Sequence, residues 1–185
     1  NPALRLGAAL GGTDPLRDKV VLLDDGSGIT GFADWAEQLI AESTGKDGKG
    51  LVPIEGETIG DAAVYGNDRF FIDLRTEREH DAAHEAKLAA LEAAGHPVVR
   101  IVMKSIDHIG QEFFRFEIAT AVAGSILGIN PFNQPDVEAA KIKTRELTAA
   151  FEKTGALPAE QAVGRAYRDL QAHQVALYAA SRTAV

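Results

Sequence analysis

The sequence predicts an α/β fold in which helices cover both faces of a parallel sheet, the doubly wound arrangement. Four short apolar runs are rich in β-branched or aromatic residues and are bounded by Gly, Pro, Asp or Asn, which is typical of strands. Their apolarity is continuous rather than alternating, which indicates strands buried on both faces. Helical patterns alternate with these runs, and this alternation favours parallel strands joined by crossover helices.

The predicted elements follow one another along the chain. The opening sequence NPALRLGAAL reads as a helix whose beginning is missing. The predicted strands are 18–24 (DKVVLLD), 51–54 (LVPI), 69–74 (RFFIDL) and 98–103 (VVRIVM). Helices are predicted over 32–43, 76–94, 111–127 and 136–153. This pattern predicts one domain over residues 1–158, followed by a helical appendage over 159–185 that is rich in Ala and Gln.

Composition excludes several classes of function. A length of 185 residues is enough for one well-cored domain. The net charge of −8 argues against nucleic acid as a partner, because phosphate backbones require a cationic face. The chain has no cysteine, which excludes disulfides and thiolate chemistry and suits the cytoplasm. No apolar run is long enough to cross a membrane, and the N-terminus lacks a signal pattern. We therefore expect a cytoplasmic protein that binds neither nucleic acid nor membrane.

The loop over residues 24–31, DDGSGITG, follows the first predicted strand. Ligands of doubly wound folds collect at the carboxyl ends of strands, so this loop is a candidate ligand contact. It lacks the Lys-Ser/Thr pair of a P-loop and the spacing of a dinucleotide fingerprint. The alternative interpretation, a simple connector between strand and helix, is also compatible with this loop.

The segment WAEQLIAESTGKDGKG, residues 35–50, places Gln38 and Glu42 four positions apart, on one helical face. Glu42 falls in the last turn before Gly45, where the helix dipole disfavours an acid. A solvated surface residue and a general base at the mouth of a cleft are both compatible with this pattern.

Two histidines four apart, in HDAAH, resemble a metal-binding pattern. His80 and His84 have the spacing of a zinc-binding helix, but Asp81 is shorter than the Glu of that motif. The surrounding helix is heavily charged, which favours a solvated surface. We expect no metal and no cofactor, and a zinc hydrolase is the alternative that metal analysis tests.

Polar residues also mark the start of the long helix after the last strand. Asp107 and His108 lie where the strand passes into the helix, and Phe113, Phe114 and Phe116 make that helix apolar. Glu112, Arg115 and Glu117 share its polar side, where ion-paired surface charges are expected.

The stretch GSILGINPFNQPDVEAAK, residues 124–141, closely resembles a signature of glucose-6-phosphate isomerases. Nine residues fit it: Gly124, Ile126, Leu127, Phe132, Asn133, Gln134, Val137, Glu138 and Lys141. Asp136 departs from it, because the family usually has Gly or Ala there. Together with WAEQLIAESTGK and GQEFFRFEIATAVAG, the chain looks most like the isomerase half of transaldolase/glucose-6-phosphate isomerase fusions. The resemblance implies a flavodoxin-like parallel sheet of the sugar-isomerase (SIS) type and no cofactor.

The resemblance also implies roles for single residues. Glu42 corresponds to the base that moves a proton between C2 and C1 of the sugar phosphate. Gln38, one turn before it, is a predicted substrate-binding residue, and Lys46 follows it. Lys141 corresponds to a catalytic lysine near the ring oxygen, and Gln134 to a substrate contact near the phosphate.

Two departures from the family matter. The family commonly has a His after a Gly-Gln pair, whereas Gly110-Gln111 is followed by Glu112, so His108 and Glu112 are the candidate substrate-binding residues there. The family's first sugar-isomerase domain, with its phosphate-binding loop and an active-site Arg, has no counterpart in this chain. The chain is therefore identified as the second domain alone.

The implied partners are a sugar phosphate substrate, the missing first domain, and a second copy in a homodimer. A non-catalytic sugar-phosphate-binding module is the alternative.

Overall fold

The computed structural model describes residues 1–24, 28–77 and 81–157, and the predicted appendage lies outside them. Within this part of the chain, four strands form one parallel sheet: β1 (Lys19–Asp24), β2 (Val52–Ile54), β3 (Arg69–Thr76) and β4 (Val98–Met103). Their order is β2-β1-β3-β4, so the chain reverses its direction of winding between β2 and β3. All four predicted strands are present, and the parallel, doubly wound prediction is confirmed.

The described helices are α1 (Pro2–Gly11), α2 (Phe32–Thr44), α3 (Ala82–Ala93), α4 (Ile109–Leu127) and α5 (Pro135–Thr154). The predicted start of the third helix at residue 76 was wrong. Thr76 belongs to β3 and pairs with Met103 of β4. The helix begins later, where the side chain of Asp81 accepts a hydrogen bond of 2.9 Å from the amide of Ala83.

Helices cover both faces of the sheet. On one face α1, α2 and α4 pack on a core that includes Val20, Leu22, Phe70 and Ile72. On the other face Leu88 and Leu91 of α3 pack against three alternate strand residues, Val21, Leu23 and Phe71. Strands buried on both sides explain the continuous apolar runs.

Helix α1 approaches α4 closely through glycine. A Cβ added at Gly7 would lie 2.5 Å from the carbonyl oxygen of Ala119 and 2.6 Å from Cβ of Val122. One added at Gly11 would lie 2.9 Å from the carbonyl oxygen of Ala123. The two backbones are therefore closer than any side chain at these positions would permit.

The chain divides into two compact units, Asn1–Gln134 and Pro135–Val185. The first unit contains the whole described sheet and α1 to α4. The described part of the second unit contains α5, none of whose residues is buried. No helix in the described ranges combines the length and the apolarity needed to span a membrane.

Candidate functional site

Helix α2 turns one face into the core and another toward a cavity. Phe32, Ala36, Ile40 and Thr44 recur every four residues and are buried. The cavity, of about 340 Å³, is lined by side chains of the second face and by one residue from a distant part of the chain: Trp35, Gln38, Leu39, Glu42, Ser43 and Gln134. The amphipathic pattern of α2 thus places Gln38 and Glu42 together on one accessible face.

Both oxygens of the Glu42 carboxylate accept hydrogen bonds from side-chain amides. Nε2 of Gln38 donates to Oε1 at 3.2 Å, and Nε2 of Gln134 donates to Oε2 at 3.4 Å. Glu42 is exposed in the last turn of α2, where the helix dipole disfavours a negative charge. Two donors at the carboxylate offset that effect and hold the group in one orientation.

The end of α2 is fixed to the sheet by Thr44, which is fully buried. Its Oγ1 donates to the carbonyl oxygen of Ile40 at 2.7 Å and accepts from the amide of Leu51 at 2.9 Å. The Thr44 hydroxyl therefore joins the last turn of α2 to the start of β2. This link limits the movement of the helix end that carries Glu42.

Gln134 is delivered by the turn that follows α4. The helix ends at Gly128, whose φ of 69° lies in the left-handed region that glycine adopts without strain. A Cβ added at Gly124 would lie 2.9 to 3.0 Å from the ring of Pro131, so the turn packs directly on α4. The Oδ1 of Asn130 accepts from the amide of Phe132 at 3.0 Å, which closes the turn.

Two lysines of the segment after α2 reach this region. Lys46 is only 5% exposed, and its Nζ donates to the carbonyl oxygen of Asn130 at 2.9 Å and to that of Asn133. Lys49 is exposed, and its Nζ donates to the carbonyl oxygen of Leu127 at 2.9 Å. The segment that ends α2 is thus tied to the turn that carries Gln134.

The structure does not bring the other two predicted site residues of the first unit, His108 and Glu112, into the Glu42 cavity. His108 is half-buried at the N-cap of α4 and does not line the Glu42 cavity. Glu112 is buried on α4, where its Oε2 lies 2.9 Å from Nε of Arg115. Burial raises the pKa of Glu112 above its ordinary value, and the charge of Arg115 partly opposes that shift. Lys141 is exposed on α5 in the second unit. The roles of these three residues stay predictions.

Trp35 and Ser43 line the same cavity but were not predicted as site residues. The ring of Trp35 packs edge-on against Phe113, with 4.4 Å between centroids. The sequence contained a signal for both residues. Trp35 lies three positions before Gln38, and Ser43 lies one position after Glu42. Helical spacing places Trp35, Gln38 and Glu42 on one stripe.

A larger cavity, of about 590 Å³, lies at the carboxyl ends of β1 and β2, beside the start of α3. Its wall includes His84, whose Nε2 lies 2.8 Å from Oδ1 of the fully buried Asp73. Ile29, Thr30 and Gly31 of the predicted ligand loop also line it. Its acidic side chains and Lys87 do not together single out one class of ligand.

Only one histidine of the predicted zinc pair lies in the described part of the chain. His84 is in the described part, and His80 lies outside it. Among the described residues there is no group of three or more His, Cys, Asp or Glu side chains that could hold a metal ion.

Comparison with known proteins gives a consistent set of relatives. A probable glucose-6-phosphate isomerase of Halobacterium salinarum is 32% identical over 149 residues, covering 63% of this chain and 35% of that protein. The corresponding protein of Natronomonas pharaonis is 32% identical over 161 residues, covering 68% of this chain and 38% of its own length. A glucose-6-phosphate isomerase of Parabacteroides distasonis is 31% identical over 160 residues, with coverages of 67% and 35%. The chain therefore spans about a third of the length of the curated relatives that it matches.

Among solved structures, a hypothetical protein from Thermus thermophilus superimposes with a TM-score of 0.58 at 21% identity. The match covers 79% of this chain and 43% of that protein, and it supports the fold alone. No protein-family profile matches the chain.

Proposed function

We propose, on the premise that this chain belongs to the glucose-6-phosphate isomerase family, that it supplies the proton-transfer part of an isomerase active site. The proposed reaction interconverts glucose 6-phosphate and fructose 6-phosphate. The proposed base is Glu42, which takes a proton from one of the carbons C1 and C2 and returns it to the other.

The observation that carries this proposal is the pair of amide hydrogen bonds at the Glu42 carboxylate, beside a cavity. An ionised carboxylate offers about four acceptor sites, so two amides leave acceptor capacity for a substrate proton. Isomerisation through an enediolate needs one such group on one face of the substrate. A carboxylate held from both sides is suited to this task because its orientation does not have to be restored in each cycle.

The remaining parts of the active site belong to the same proposal. Gln38 positions the carboxylate, and Gln134 both positions it and contacts the substrate. Lys141 stabilises the negative charge that develops on the sugar oxygens. The first sugar-isomerase domain supplies the phosphate site, and the complete enzyme is a cytoplasmic homodimer.

Replacement of Glu42 by Gln tests the assignment. The amide keeps nearly the same shape but cannot accept the proton. In a complete isomerase that contains this chain, Glu42→Gln should lower kcat by at least about 100-fold, the usual contribution of a positioned acid–base group. KM should change little, because Gln can still fill the same space. Steady-state rates with fructose 6-phosphate give both constants.

Glu77→Gln is the matched control, because Glu77 is exposed and lies outside the lining of the Glu42 cavity. This variant should keep the parent kcat. Near-normal turnover of a correctly folded Glu42→Gln protein would show that Glu42 is not the base. A sugar-phosphate-binding module without catalysis would be supported instead if the parent protein itself showed no turnover.

A further inference from the structure

Lys46 is a buried cation without an acidic partner among the described residues. Its side chain is 5% exposed, and none of the described ion pairs includes it. Instead, its ammonium group donates to two backbone carbonyls, those of Asn130 and Asn133. Lysine is almost never fully buried unless its charge is compensated, so this placement needs an explanation.

The two acceptors lie at both ends of the tight turn that precedes Gln134. Asn133 is the neighbour of Gln134 along the chain, and Asn130 closes the turn through its own side chain. Lys46 lies only four positions after Glu42, just beyond the end of α2. One ammonium group therefore links the backbone that carries Gln134 to the backbone that carries Glu42.

We infer that Lys46 is a positioning residue, which clamps the turn over residues 130–133 to the end of α2 and so holds Gln134 against Glu42. The clamp itself follows from the contacts, whereas its importance for turnover rests on the proposed isomerase function. A lysine suits the task better than a neutral donor because three N–H groups on a long stem reach two carbonyls from a different segment. The two carbonyl groups are 84 and 87 positions away from Lys46 in the sequence, so no local turn could replace this link.

The clamp is tested first without any activity measurement. Lys46→Met keeps the apolar stem and removes the ammonium group. In the chain of 185 residues, NMR order parameters for the amides of Phe132, Asn133 and Gln134 should fall from about 0.85 to below about 0.6. The amide of Phe71 donates to the carbonyl oxygen of Pro97 at 2.9 Å in the sheet. It should keep its protection from hydrogen exchange, which would show that the fold is intact.

Lys49→Met is the matched control. Lys49 comes from the same segment, donates to the carbonyl oxygen of Leu127, and is exposed. Its replacement should leave the order parameters of residues 132–134 unchanged. The absence of cysteine provides a rescue: Lys46→Cys, alkylated with 2-bromoethylamine in the unfolded chain, regenerates a lysine analogue at this position alone. The refolded product should recover the rigid turn.

A double-mutant cycle in a complete isomerase tests the functional part. Lys46→Met should lower kcat/KM by about 10- to 100-fold, as expected when a contact is displaced by about 1 Å. In a Gln134→Ala background, Lys46→Met should lower kcat/KM by less than about 3-fold. The reason is that the side chain through which Lys46 acts is already absent. A general structural role would give the same loss in both backgrounds.

Each experimental outcome decides one part of the Lys46 proposal. Rigid order parameters in Lys46→Met, or global unfolding of that variant, would overturn the clamp whatever the chain catalyses. A mobile turn with additive losses in the cycle would overturn the positioning role. A mobile turn with a non-additive loss supports it. Failure of the isomerase assignment itself would appear in Glu42→Gln and leaves the clamp test intact.

Discussion

Glu112 shows how burial changes the chemistry of one residue. The sequence predicts a substrate contact at this position, and the structure places its carboxyl group 3% exposed beside Arg115. Removal from water disfavours the charged form, which is why the pKa of Glu112 is raised. A single ion pair along the helix does not fully offset the loss of solvent. The group therefore weakens the fold when it is ionised.

The stability of the chain should consequently depend on pH through Glu112. Below the ordinary pKa of 4.5, the carboxyl is protonated in the folded and in the unfolded state. As the pH rises from there through the raised pKa of the folded state, the unfolded state loses its proton first, so the free energy of unfolding falls. Glu112→Gln cannot ionise. The difference in unfolding free energy, parent minus variant, should therefore decrease across this window and then level off.

Urea denaturation of both proteins at a series of pH values measures this difference. A difference that stays constant, or that grows as the pH rises, would contradict the account of Glu112.

Sequence reasoning could place some site residues together and not others. Gln38 and Glu42 are four positions apart, and helical geometry alone puts them on one face. Gln134 is 92 positions from Glu42, and its contact depends on how α4 packs on the sheet and on the turn that follows it. The family resemblance assigned Gln134 to the substrate but did not indicate that it contacts Glu42. The two carbonyl contacts of Lys46 have no sequence signal, because backbone acceptors are present at every position.

At the scale of whole elements, the close approach of α1 and α4 depends on residues without side chains. Gly7 faces backbone atoms of Ala119, which cannot move aside as a flexible side chain could. Any Cβ at this position must push one helix away from the other.

Gly7→Ala should therefore lower the free energy of unfolding by about 1–3 kcal/mol, although Ala is the better helix former. Thermal or urea unfolding measures the change. Gly110→Ala is the control on α4, because an added Cβ there meets nothing within 4 Å. It should be neutral or stabilise by up to about 1 kcal/mol. Equal effects of the two substitutions would show that helix propensity, rather than crowding, decides the result.

The strands were the most predictable elements, and the reason is physical. Each is buried on both faces, so every residue of a run such as VVRIVM contributes to the pattern, and β4 has the predicted bounds. The start of α3 was misplaced because a charged run after β3 has good helix propensity. Pairing of Thr76 with Met103 keeps it in the sheet, and a contact between distant segments cannot be derived from propensity.

At the scale of the whole molecule, the chain accounts for about a third of the length of its relatives. The relationship confirms the family predicted from the signature, whereas a transaldolase fusion stays a prediction. The described residues contain one four-stranded sheet with helices on both of its faces. They do not include a second sheet that could supply the phosphate-binding loop expected from the family.

The isolated chain of 185 residues should therefore isomerise fructose 6-phosphate very poorly or not at all. The physical reason is that proton transfer requires a substrate held in place, and binding energy from a non-reacting part such as the phosphate is used for that positioning. A coupled assay for glucose 6-phosphate measures the rate. A turnover in the usual enzyme range of about 1–1000 per second would contradict the two-domain proposal.

The position of Trp35 has an optical consequence. It is the only tryptophan of the chain, and it lies in the wall of the cavity that contains Glu42, packed against Phe113. Light absorbed selectively by indole is therefore re-emitted from this cavity and from no other part of the protein. Emission colour and quenching report the polarity around α2 beside Glu42, so a solute that enters the cavity is detected without a label. For the same reason, an unfolding curve recorded by tryptophan fluorescence follows the contact between α2 and α4, whereas one recorded by circular dichroism also includes the sheet.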